Sequence, residues 1–165
     1  MAAIRSDPIV RRFYQDLATR EDTERTIDGS ILAAQRDGFH FRAVERRVDG
    51  AFIGMIGIAR FSDSMIEAVP GHPEVEIGWQ LDKAYWGNGY APEGASACLA
   101  YAFTELGLPE IVAITARINL PSQRVMQKIG MTSALADDFD HPNLAEGHTR
   151  RPHVLYRIGN PKARN

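Results

Sequence analysis

The apolar residues of this chain recur with two different periods. Between residues 92 and 106 they recur at the three- and four-residue spacing of a helix, and Gly107 follows as a stop signal. A second helical segment, residues 119–129, ends at Gly130. Shorter β-rich runs predict strands at residues 39–47, 51–61, 75–81, 111–115, 131–135 and 153–158. Polar segments predict loops at residues 63–73 and 137–151. This order predicts an α/β (α+β) fold with a mixed sheet.

The N-terminal part of the chain carries helical signals. Asp7-Pro8 is followed by apolar residues, which predicts a short helix with proline near its first turn. Thr19 and Asp22 resemble a capping box, with aspartate in place of the preferred glutamate or glutamine. This box opens a second helix that stops at Gly38. We therefore expect helices before the first strand.

Length, composition and charge narrow the class of protein. A chain of 165 residues, 44% hydrophobic and 24% charged, is typical of one domain, so we expect residues 1–165 to form a single unit. The net charge of −2 argues against a dedicated nucleic-acid-binding protein. No apolar stretch approaches the roughly 20 residues that span a bilayer, and the N-terminus lacks the apolar core of a signal peptide. We expect a cytoplasmic protein without a membrane partner.

The positions of the cysteine and of the loop histidines in the sequence do not indicate a chemical role for them. Cys98 lies on the apolar face of the helix at residues 92–106, which favours packing over reactivity. Asp138 and Asp140 accompany loop histidines at positions 72, 141, 148 and 153, but no close ligand spacing such as H-E-x-x-H occurs. The sequence predicts no metal site.

A glycine-containing segment between a strand and a helix carries the clearest chemistry. Residues 81–91 read Leu-Asp-Lys-Ala-Tyr-Trp-Gly-Asn-Gly-Tyr-Ala. Gly87 and Gly89 allow positive φ and close backbone approach to a ligand, and the first amides of the next helix are unsatisfied. Amides that converge beside the positive end of a helix dipole form an anion site, most naturally for phosphate. A tight turn without a ligand is the alternative for an isolated Gly-x-Gly.

The residues in and around this segment distinguish between the known types of phosphate-binding loop. Pro92 stands where a dinucleotide fingerprint needs Gly or Ala, and Ala95 stands where a P-loop needs Lys. Residues 86–91 instead resemble the pyrophosphate loop of the GNAT superfamily of N-acetyltransferases, with Trp86 in place of the first Gln or Arg. The resemblance implies acetyl-CoA as co-substrate and a set of cofactor-binding residues: Leu81, Trp86, Gly87, Asn88, Gly89, Tyr90, Ala91, Asn119 and Ser122.

Two further blocks extend the resemblance over residues 39–158. Residues 76–79 read Glu-Ile-Gly-Trp and introduce the loop as in the branch of ribosomal-protein N-terminal alanine and serine acetyltransferases. Residues 119–131 match the pattern N-x-x-S-x-x-V-M-x-K-x-G-M, and the segments 137–142 and 153–157 resemble a bacterial subgroup of that branch. The resemblance implies two central parallel strands that splay apart, flanked by helices, with the pantetheine arm pairing near Leu81.

The resemblance also implies catalytic residues. Glu76 is the candidate base, acting on the amine through water, and Glu74, two residues earlier on the same face, is the competitor. Ser122 is the candidate acid towards the CoA sulfur, because Met126 stands where many members carry Tyr. The alternatives are a surface role for either glutamate and local amide bonding for Ser122. Asn119 is the expected helix cap, whose side chain can also meet the cofactor.

The acceptor is an amine whose identity stays open. A protein N-terminal amine has a pKa of about 7.7 to 8.0, against about 10.4 for lysine, so it demands less of the base. A small amine such as an amino acid, a polyamine or an antibiotic is the second hypothesis, and a non-catalytic CoA sensor is the third. The pairs Arg46-Arg47 and Arg150-Arg151 are interpreted as solvated charges, with contact to the CoA 3′-phosphate or to an acidic acceptor as the alternative.

The start of the chain departs from the family pattern. A mean strand and a mean helix need about 17 residues, and residues 1–6 alone precede Asp7. We therefore expect the family's first strand to be missing, which would leave the strand at residues 39–47 with an open edge. A homodimer that covers the edge, a rearranged N-terminal segment and a start upstream of Met1 are the three interpretations.

Overall fold

The computed structural model describes residues 1–162. Its helices are α1 (Ala2–Arg5), α2 (Arg20–Asp37), α3 (Asp63–Ala68), α4 (Tyr90–Thr104) and α5 (Leu120–Lys128). Its strands are β1 (Arg42–Arg46), β2 (Ala51–Arg60), β3 (Val75–Leu81), β4 (Glu110–Ala116), β5 (Thr132–Ser133), β6 (Phe139–Asp140) and β7 (Pro152–Gly159). Short 3₁₀ turns occupy Lys83–Tyr85 and Leu135–Asp137.

The strands form one mixed sheet in the order β1-β2-β3-β4-β7-β5, and β6 pairs with β7. The pair β3–β4 is parallel, whereas the other pairs are antiparallel. A parallel connection needs a long crossover, and α4 supplies it between β3 and β4. The predicted mixed sheet with a central parallel pair and flanking helices is confirmed.

The two faces of the sheet carry two apolar clusters. Ile111 and Ala113 of β4 belong to the larger cluster, which α4 covers with its buried residues Ala95 and Leu99. Val112, between them, belongs to a second cluster with residues from α3 and β7. Successive side chains of a strand point to opposite faces, so this alternation places α4 and α3 on opposite sides of the sheet.

The predicted helix caps are present. The Thr19 hydroxyl accepts from the Asp22 amide (3.0 Å), and the Asp22 carboxylate accepts from the Thr19 amide (2.9 Å). This capping box begins α2, and Gly38 ends it with a left-handed φ of 80°. Asn119 caps α5 as predicted, since its side chain accepts from the Ser122 amide (3.3 Å).

The helix predicted at Asp7-Pro8 is wrong. The N-terminal helix α1 lies earlier, at Ala2–Arg5, and residues 7–16 form turns. The Asp7 carboxylate accepts from the amides of Ile9 (2.8 Å) and Val10 (3.3 Å), so a side chain satisfies the donors that a helix start would leave open. These bonds are those of a helix N-cap, and the Arg11 amide also donates to the Asp7 carbonyl (2.9 Å), but the chain continues as turns and bends and not as a helix.

Other boundaries differ where tertiary packing decides. The predicted loop at residues 63–73 contains α3, because Met65 and Val69 are buried in the second apolar cluster. The loop at residues 137–151 contains the short strand β6, and the strand predicted at residues 131–135 shortens to β5. The first strand begins at Arg42 and not at residue 39.

Within the described residues no strand precedes β1, which pairs with β2 alone and leaves its other edge open. None of the helices in residues 1–162 has the length and apolar character of a membrane span. The single domain, the homodimer that would cover the open edge, the cytoplasmic location and the lack of a nucleic-acid partner stay predictions.

Candidate active site

The parallel strands β3 and β4 separate near the middle of the sheet. Their ladder consists of one registered pair, Glu76 with Val112. By contrast, β4 pairs with β7 over seven registered positions and β2 pairs with β3 over seven. The carboxyl ends of β3 and β4 therefore border an opening in the sheet, as the resemblance implied.

The backbone of β3 turns hydrogen-bonding groups towards this opening. The Asp82 amide donates to the Ile53 carbonyl (2.9 Å), so even-numbered residues of β3 bond to β2. In an antiparallel pair the intervening residues direct their amides and carbonyls the other way. Trp79 and Leu81 thus face the opening with their main chains. Sequence reasoning named Leu81 here and missed Trp79.

The turn after β3 has an open concave surface built from glycine. Gly87 (φ 79°) and Gly89 (φ 84°) both adopt left-handed conformations that L side chains rarely take. A Cβ placed on either glycine would meet no described atom within 4 Å, so space above the turn is free. Gly89 is the N-cap of α4 and supplies no side-chain cap, which leaves the first amides of the helix available to an anion.

Side chains around the turn stabilise its shape. Asn88 donates through its amide nitrogen to the carbonyls of Tyr85 (3.2 Å) and Trp86 (3.1 Å). The Trp86 indole N–H donates to the Leu81 carbonyl (2.9 Å), which ties the turn to the end of β3. The side chains of both predicted cofactor residues therefore hold the loop in shape.

Glu76 lies at the registered pair between the parallel strands β3 and β4, next to the point where they separate. Its neighbours Val75 and Ile77 are buried in the large cluster, so its side chain points to the sheet face opposite α4. The residue is half-buried, and desolvation raises the pKa of its carboxyl to about 7. A carboxyl with a pKa near neutrality is matched to proton transfer at physiological pH.

Glu74 occupies a different environment from Glu76. Its carboxylate accepts from Arg60 Nη1 (2.9 Å), and 69% of its side chain is exposed. A solvated carboxylate paired with arginine is the surface role that the sequence left open for either glutamate. The geometry therefore favours Glu76 over its competitor.

Ser122 and Asn119 lie at the start of α5, beside β4. The Asn119 amide nitrogen donates to the Thr115 hydroxyl (2.9 Å) while its oxygen caps the helix. The Ser122 hydroxyl makes no hydrogen bond within residues 1–162, and the residue is half-buried. Local bonding thus accounts for Asn119 but not for the Ser122 hydroxyl, which stays available to a ligand.

Residues 7–16, here called the N-terminal strap, dock onto the glycine turn. Lys83 Nζ lies 2.6 Å from the Asp7 carboxylate, and this side-chain hydrogen bond lowers the pKa of Asp7. The Arg12 guanidinium lies 4.8 Å from the ring centroid of Trp86. These contacts fix one end of the strap beside the end of β3.

The other end of the strap reaches the loop before β7. Arg150 donates to the carbonyls of Tyr14 and of Arg12 (3.2 Å). Since β7 pairs with β4, the strap crosses from one side of the opening to the other. Desolvation raises the pKa of the Tyr14 hydroxyl, the charge of Arg11 lowers it, and the charge of Glu76 raises it. No periodicity or motif predicted these strap contacts.

The histidine-containing loop is a packed region. His153 is 9% exposed, and burial lowers its pKa to about 4, so it is neutral at pH 7. Its ring lies 4.7 Å from that of His141 and 5.7 Å from that of Phe139. Within residues 1–162 no three His, Cys, Asp or Glu side chains are grouped to hold a metal ion.

Cys98 packs against the large apolar cluster from α4, and burial raises the pKa of its thiol. A thiol with a raised pKa carries less thiolate at neutral pH and is less reactive. The position agrees with the packing role that the sequence favoured.

Comparison with known proteins gives a consistent result. The family model "Acetyltransferase (GNAT) domain" matches residues 1–132. The uncharacterized protein YkkB of Bacillus subtilis (strain 168) is 31% identical over 126 residues, which are 76% of this chain and 70% of YkkB.

Two solved structures share the fold. The ribosomal-protein-S5-alanine acetyltransferase from Vibrio fischeri has a TM-score of 0.71 at 15% identity, over 99% of this chain and 90% of its own. The spermidine N-acetyltransferase from Vibrio cholerae, solved with CoA and spermine, has a TM-score of 0.72 at 16% identity, again over 99% of this chain and 90% of its own. The first is named for a protein acceptor and the second for a polyamine.

Proposed function

Because the chain belongs to the GNAT acetyltransferase family and is an N-acetyltransferase that uses acetyl-CoA as co-substrate, we propose that Glu76 is the base for direct acetyl transfer to an amine. One observation carries the proposal. Glu76 is half-buried with a pKa raised to about 7, at the point where β3 and β4 separate beside the open glycine turn.

The residues present fit acetyl-CoA. The open backbone cradle at Gly87 and Gly89, followed by the uncapped start of α4, provides amide donors for a pyrophosphate. The main chain at Trp79 and Leu81 provides the edge along which a pantetheine amide would pair like an added strand. When bound, acetyl-CoA supplies a thioester carbonyl as the electrophile.

Glu76 accepts the proton that the amine must lose. At pH values above about 7 its carboxyl is ionised and can take a proton through a water molecule. An α-amino group, with a pKa of about 7.7 to 8.0, is partly neutral under the same conditions, whereas lysine at about 10.4 is not. This match supports a protein N-terminal amine as the acceptor.

Ser122 donates a proton or a hydrogen bond to the leaving sulfur. Its hydroxyl is free of local partners within the described residues, and the residue is half-buried at the start of α5. Met126, one helical turn later, is buried and has no proton to give. Asn119 positions the first turn of α5 through its cap and its bond to Thr115.

A small amine is the second candidate acceptor. The Vibrio cholerae neighbour, which is named for spermidine, shares the fold at a similar TM-score to the neighbour named for a ribosomal protein. A fold and a cofactor site do not define the acceptor half of a cleft. Side chains around Glu76 therefore have to decide between these classes.

A thiol-release assay with acetyl-CoA tests the proposal. The acceptors are peptides with free N-termini, peptides with N-terminal acetylation and an internal lysine, and small amines including spermidine. We expect transfer to an α-amine, with a loss of transfer when that amine is blocked. CoA binding without acetyl transfer to any of these amines would contradict the proposed function.

A further inference from the structure

The burial of β4 changes where the strand separates from its parallel partner. Residues 111–113 are buried, whereas Ile114 and Thr115 are half-buried. Both half-buried residues are still registered with β7, so the exposure arises on the side of β3. The ladder between β3 and β4 consists of the pair Glu76 with Val112, and Thr115 lies beyond that pair. Thr115 therefore borders the opening between the two strands.

The Thr115 side chain lies on the face of the sheet that α4 and α5 cover. Ile111 and Ala113 alternate along β4 in the same way as Thr115 and belong to the apolar cluster beneath α4. Asn119, at the start of α5, contacts Thr115 on this face. The Glu76 side chain points to the opposite face. The proposed base and the Thr115 hydroxyl thus lie on opposite sides of the opening.

The bonds of Asn119 set the orientation of the Thr115 hydroxyl. The Ser122 amide can only donate, so the end of the Asn119 side chain that it meets (3.3 Å) is the oxygen. The other end is the amide nitrogen, which donates to the Thr115 oxygen (2.9 Å). The proton of Thr115 must therefore point away from Asn119. Within residues 1–162 this proton has no acceptor.

Asn119 is itself held firmly in place. Its backbone amide donates to the Ala116 carbonyl (2.8 Å), and its carbonyl accepts from the Gln123 amide (3.3 Å). Its side chain then contacts Thr115 with one end and Ser122 with the other. Two hydroxyl groups with free protons consequently lie on either side of one fixed amide group, and the proposed function places one of them at the leaving sulfur.

We propose that the Thr115 hydroxyl donates a hydrogen bond to the sulfur of acetyl-CoA and stabilises the negative charge that develops there during acetyl transfer. The new C–N bond forms, the C–S bond breaks and its electron pair stays on sulfur. Glu76 takes the amine proton, Ser122 protonates the sulfur, and Thr115 keeps its own proton. A fixed donor aimed at developing charge lowers the barrier. This inference rests on the proposed function, because it takes the sulfur to lie beside Ser122.

Calorimetry with CoA and with desulfo-CoA, in which hydrogen replaces the thiol group, tests the contact without catalysis. An ordinary thiol has a pKa of about 8.5, so CoA is neutral at about pH 6 and mainly thiolate at about pH 9. A hydrogen bond to the charged form favours that form. For the wild type, the ratio of CoA affinity to desulfo-CoA affinity should therefore rise about five- to tenfold between these two pH values.

Variants of Thr115 assign this rise to its hydroxyl. Thr115→Val removes the hydroxyl at nearly constant volume, so the rise should fall to about threefold or less. Thr115→Ser keeps the hydroxyl and should keep most of the rise. Thr132→Val, at an exposed position in the edge strand β5, is the matched control and should behave as wild type. Glu76 titrates in the same pH range, but its contribution is common to all these variants.

A second comparison separates a direct contact from an effect through Asn119 and Ser122. Thr115→Val removes the partner of the Asn119 nitrogen and could displace the start of α5. If Thr115 contacts the sulfur itself, Thr115→Val should lower the rise in a Ser122→Ala background as well. Loss of the effect in that background would overturn the direct contact. So would an equal loss in Thr115→Ser and Thr115→Val.

The calorimetric result is independent of whether an acceptor has been found. A rise that is lost in Thr115→Val and kept in Thr115→Ser supports the contact even if no amine is acetylated. A rise that is unchanged in Thr115→Val, with thermal unfolding showing a folded protein, overturns the contact even if acetyl transfer agrees with the proposed function. Where transfer is measured, Thr115→Val should lower kcat by about three- to tenfold and leave the acceptor KM unchanged.

Discussion

The proposed active site has a cofactor half and an acceptor half, and the two consist of different chemical groups. The cofactor half is formed mainly by one continuous stretch, residues 79–91, whose backbone groups and left-handed glycines border the open turn. The acceptor half joins Glu76 to the N-terminal strap and to Arg150, which lies 136 residues from Tyr14. The first half offers a ligand mainly backbone amides, whereas the second offers charged and aromatic side chains.

Because of this difference, the two halves determine different properties: the first determines cofactor binding, and the second determines which amine is recognised. Backbone amides at a helix start bind a phosphate by conformation, so a small turn suffices for any member of a family that uses the same co-substrate. Side chains from distant segments can change independently, so the acceptor half can recognise different amines on the same frame. We therefore expect substitutions in the two halves to have separable kinetic effects.

Substitution of Glu76 should produce the largest effect and should leave the cofactor half intact. Glu76→Gln removes the proton acceptor with little change in shape, so we expect kcat/KM for the acceptor to fall by about 10² to 10⁴. CoA binding, measured by calorimetry, should stay within about twofold.

Glu74→Gln is the matched control for Glu76→Gln, because Glu74 is exposed and paired with Arg60. Its kcat/KM should stay within about twofold of the wild type, in keeping with the small value of surface ion pairs. A larger loss in Glu74→Gln than in Glu76→Gln would assign the base to Glu74 and break the account of the acceptor half.

A substitution at Gly89 should affect the cofactor half and so complements the substitution at Glu76. Gly89→Val places a β-branched residue at φ 84°, where each L residue costs about 1 to 2 kcal/mol and a β-branched one more. If the turn relaxes to relieve this strain, its amides no longer converge. We expect CoA affinity to fall by about ten- to a hundredfold.

Gly107→Val controls for strain alone. Gly107 also has a positive φ, 62°, and open space around its Cα, but it lies at the far end of α4. This variant should lose stability to a similar extent and keep CoA affinity. Equal loss of affinity in both variants would show that general destabilisation, and not the turn, is responsible.

Ser122 should have an intermediate effect, since the proposal places its hydroxyl at the leaving sulfur and not at the amine. Ser122→Ala should lower kcat by about tenfold and leave CoA affinity unchanged, because a proton donor in the transition state is lost. Ser133→Ala, at an exposed position in β5, is the control and should behave as wild type. Unchanged kcat in Ser122→Ala would leave Ser122 with a structural role only.

The smallest effect is expected at the strap. Arg150→Gln removes the donors to the Tyr14 and Arg12 carbonyls and loosens one end of the strap. We expect the acceptor KM to rise by about three- to tenfold, with the KM for acetyl-CoA unchanged. Arg36→Gln, an exposed arginine of α2, is the control. A rise in the KM for acetyl-CoA alone would show that the strap serves the cofactor half.

The same contrast explains how far the sequence could predict the structure. Gly87, Gly89 and the caps Thr19 and Asn119 act on residues within a few positions of themselves, so sequence spacing predicted their geometry. The position of Glu76 came from the family resemblance, but its half-buried state depends on two other strands.

The strap was not predictable because its contacts are tertiary. Asp7-Pro8 carries helix signals, and the Asp7 carboxylate bonds the amides of Ile9 and Val10 as a helix cap does, but it also pairs with the ammonium of Lys83, far away in the sequence. Likewise α3 forms in a polar segment because Met65 and Val69 find apolar partners across the sheet. Local propensity contains no information about either partner.

A pH profile of kcat/KM tests the central claim, that Glu76 is the base, most directly. The profile of kcat/KM reports groups of the free enzyme and of the free acceptor, so an α-amine with a pKa of about 7.7 to 8.0 gives every variant an acid limb of its own. A carboxyl with a raised pKa is protonated below that value and active above it, so the wild type should show a second ionisation and a steeper loss of activity as the pH falls through about 7. Glu76→Gln should be slow at every pH and keep only the single limb of the acceptor amine, measured on the same acceptor. A second ionisation near pH 7 that persists unchanged in Glu76→Gln would contradict the account.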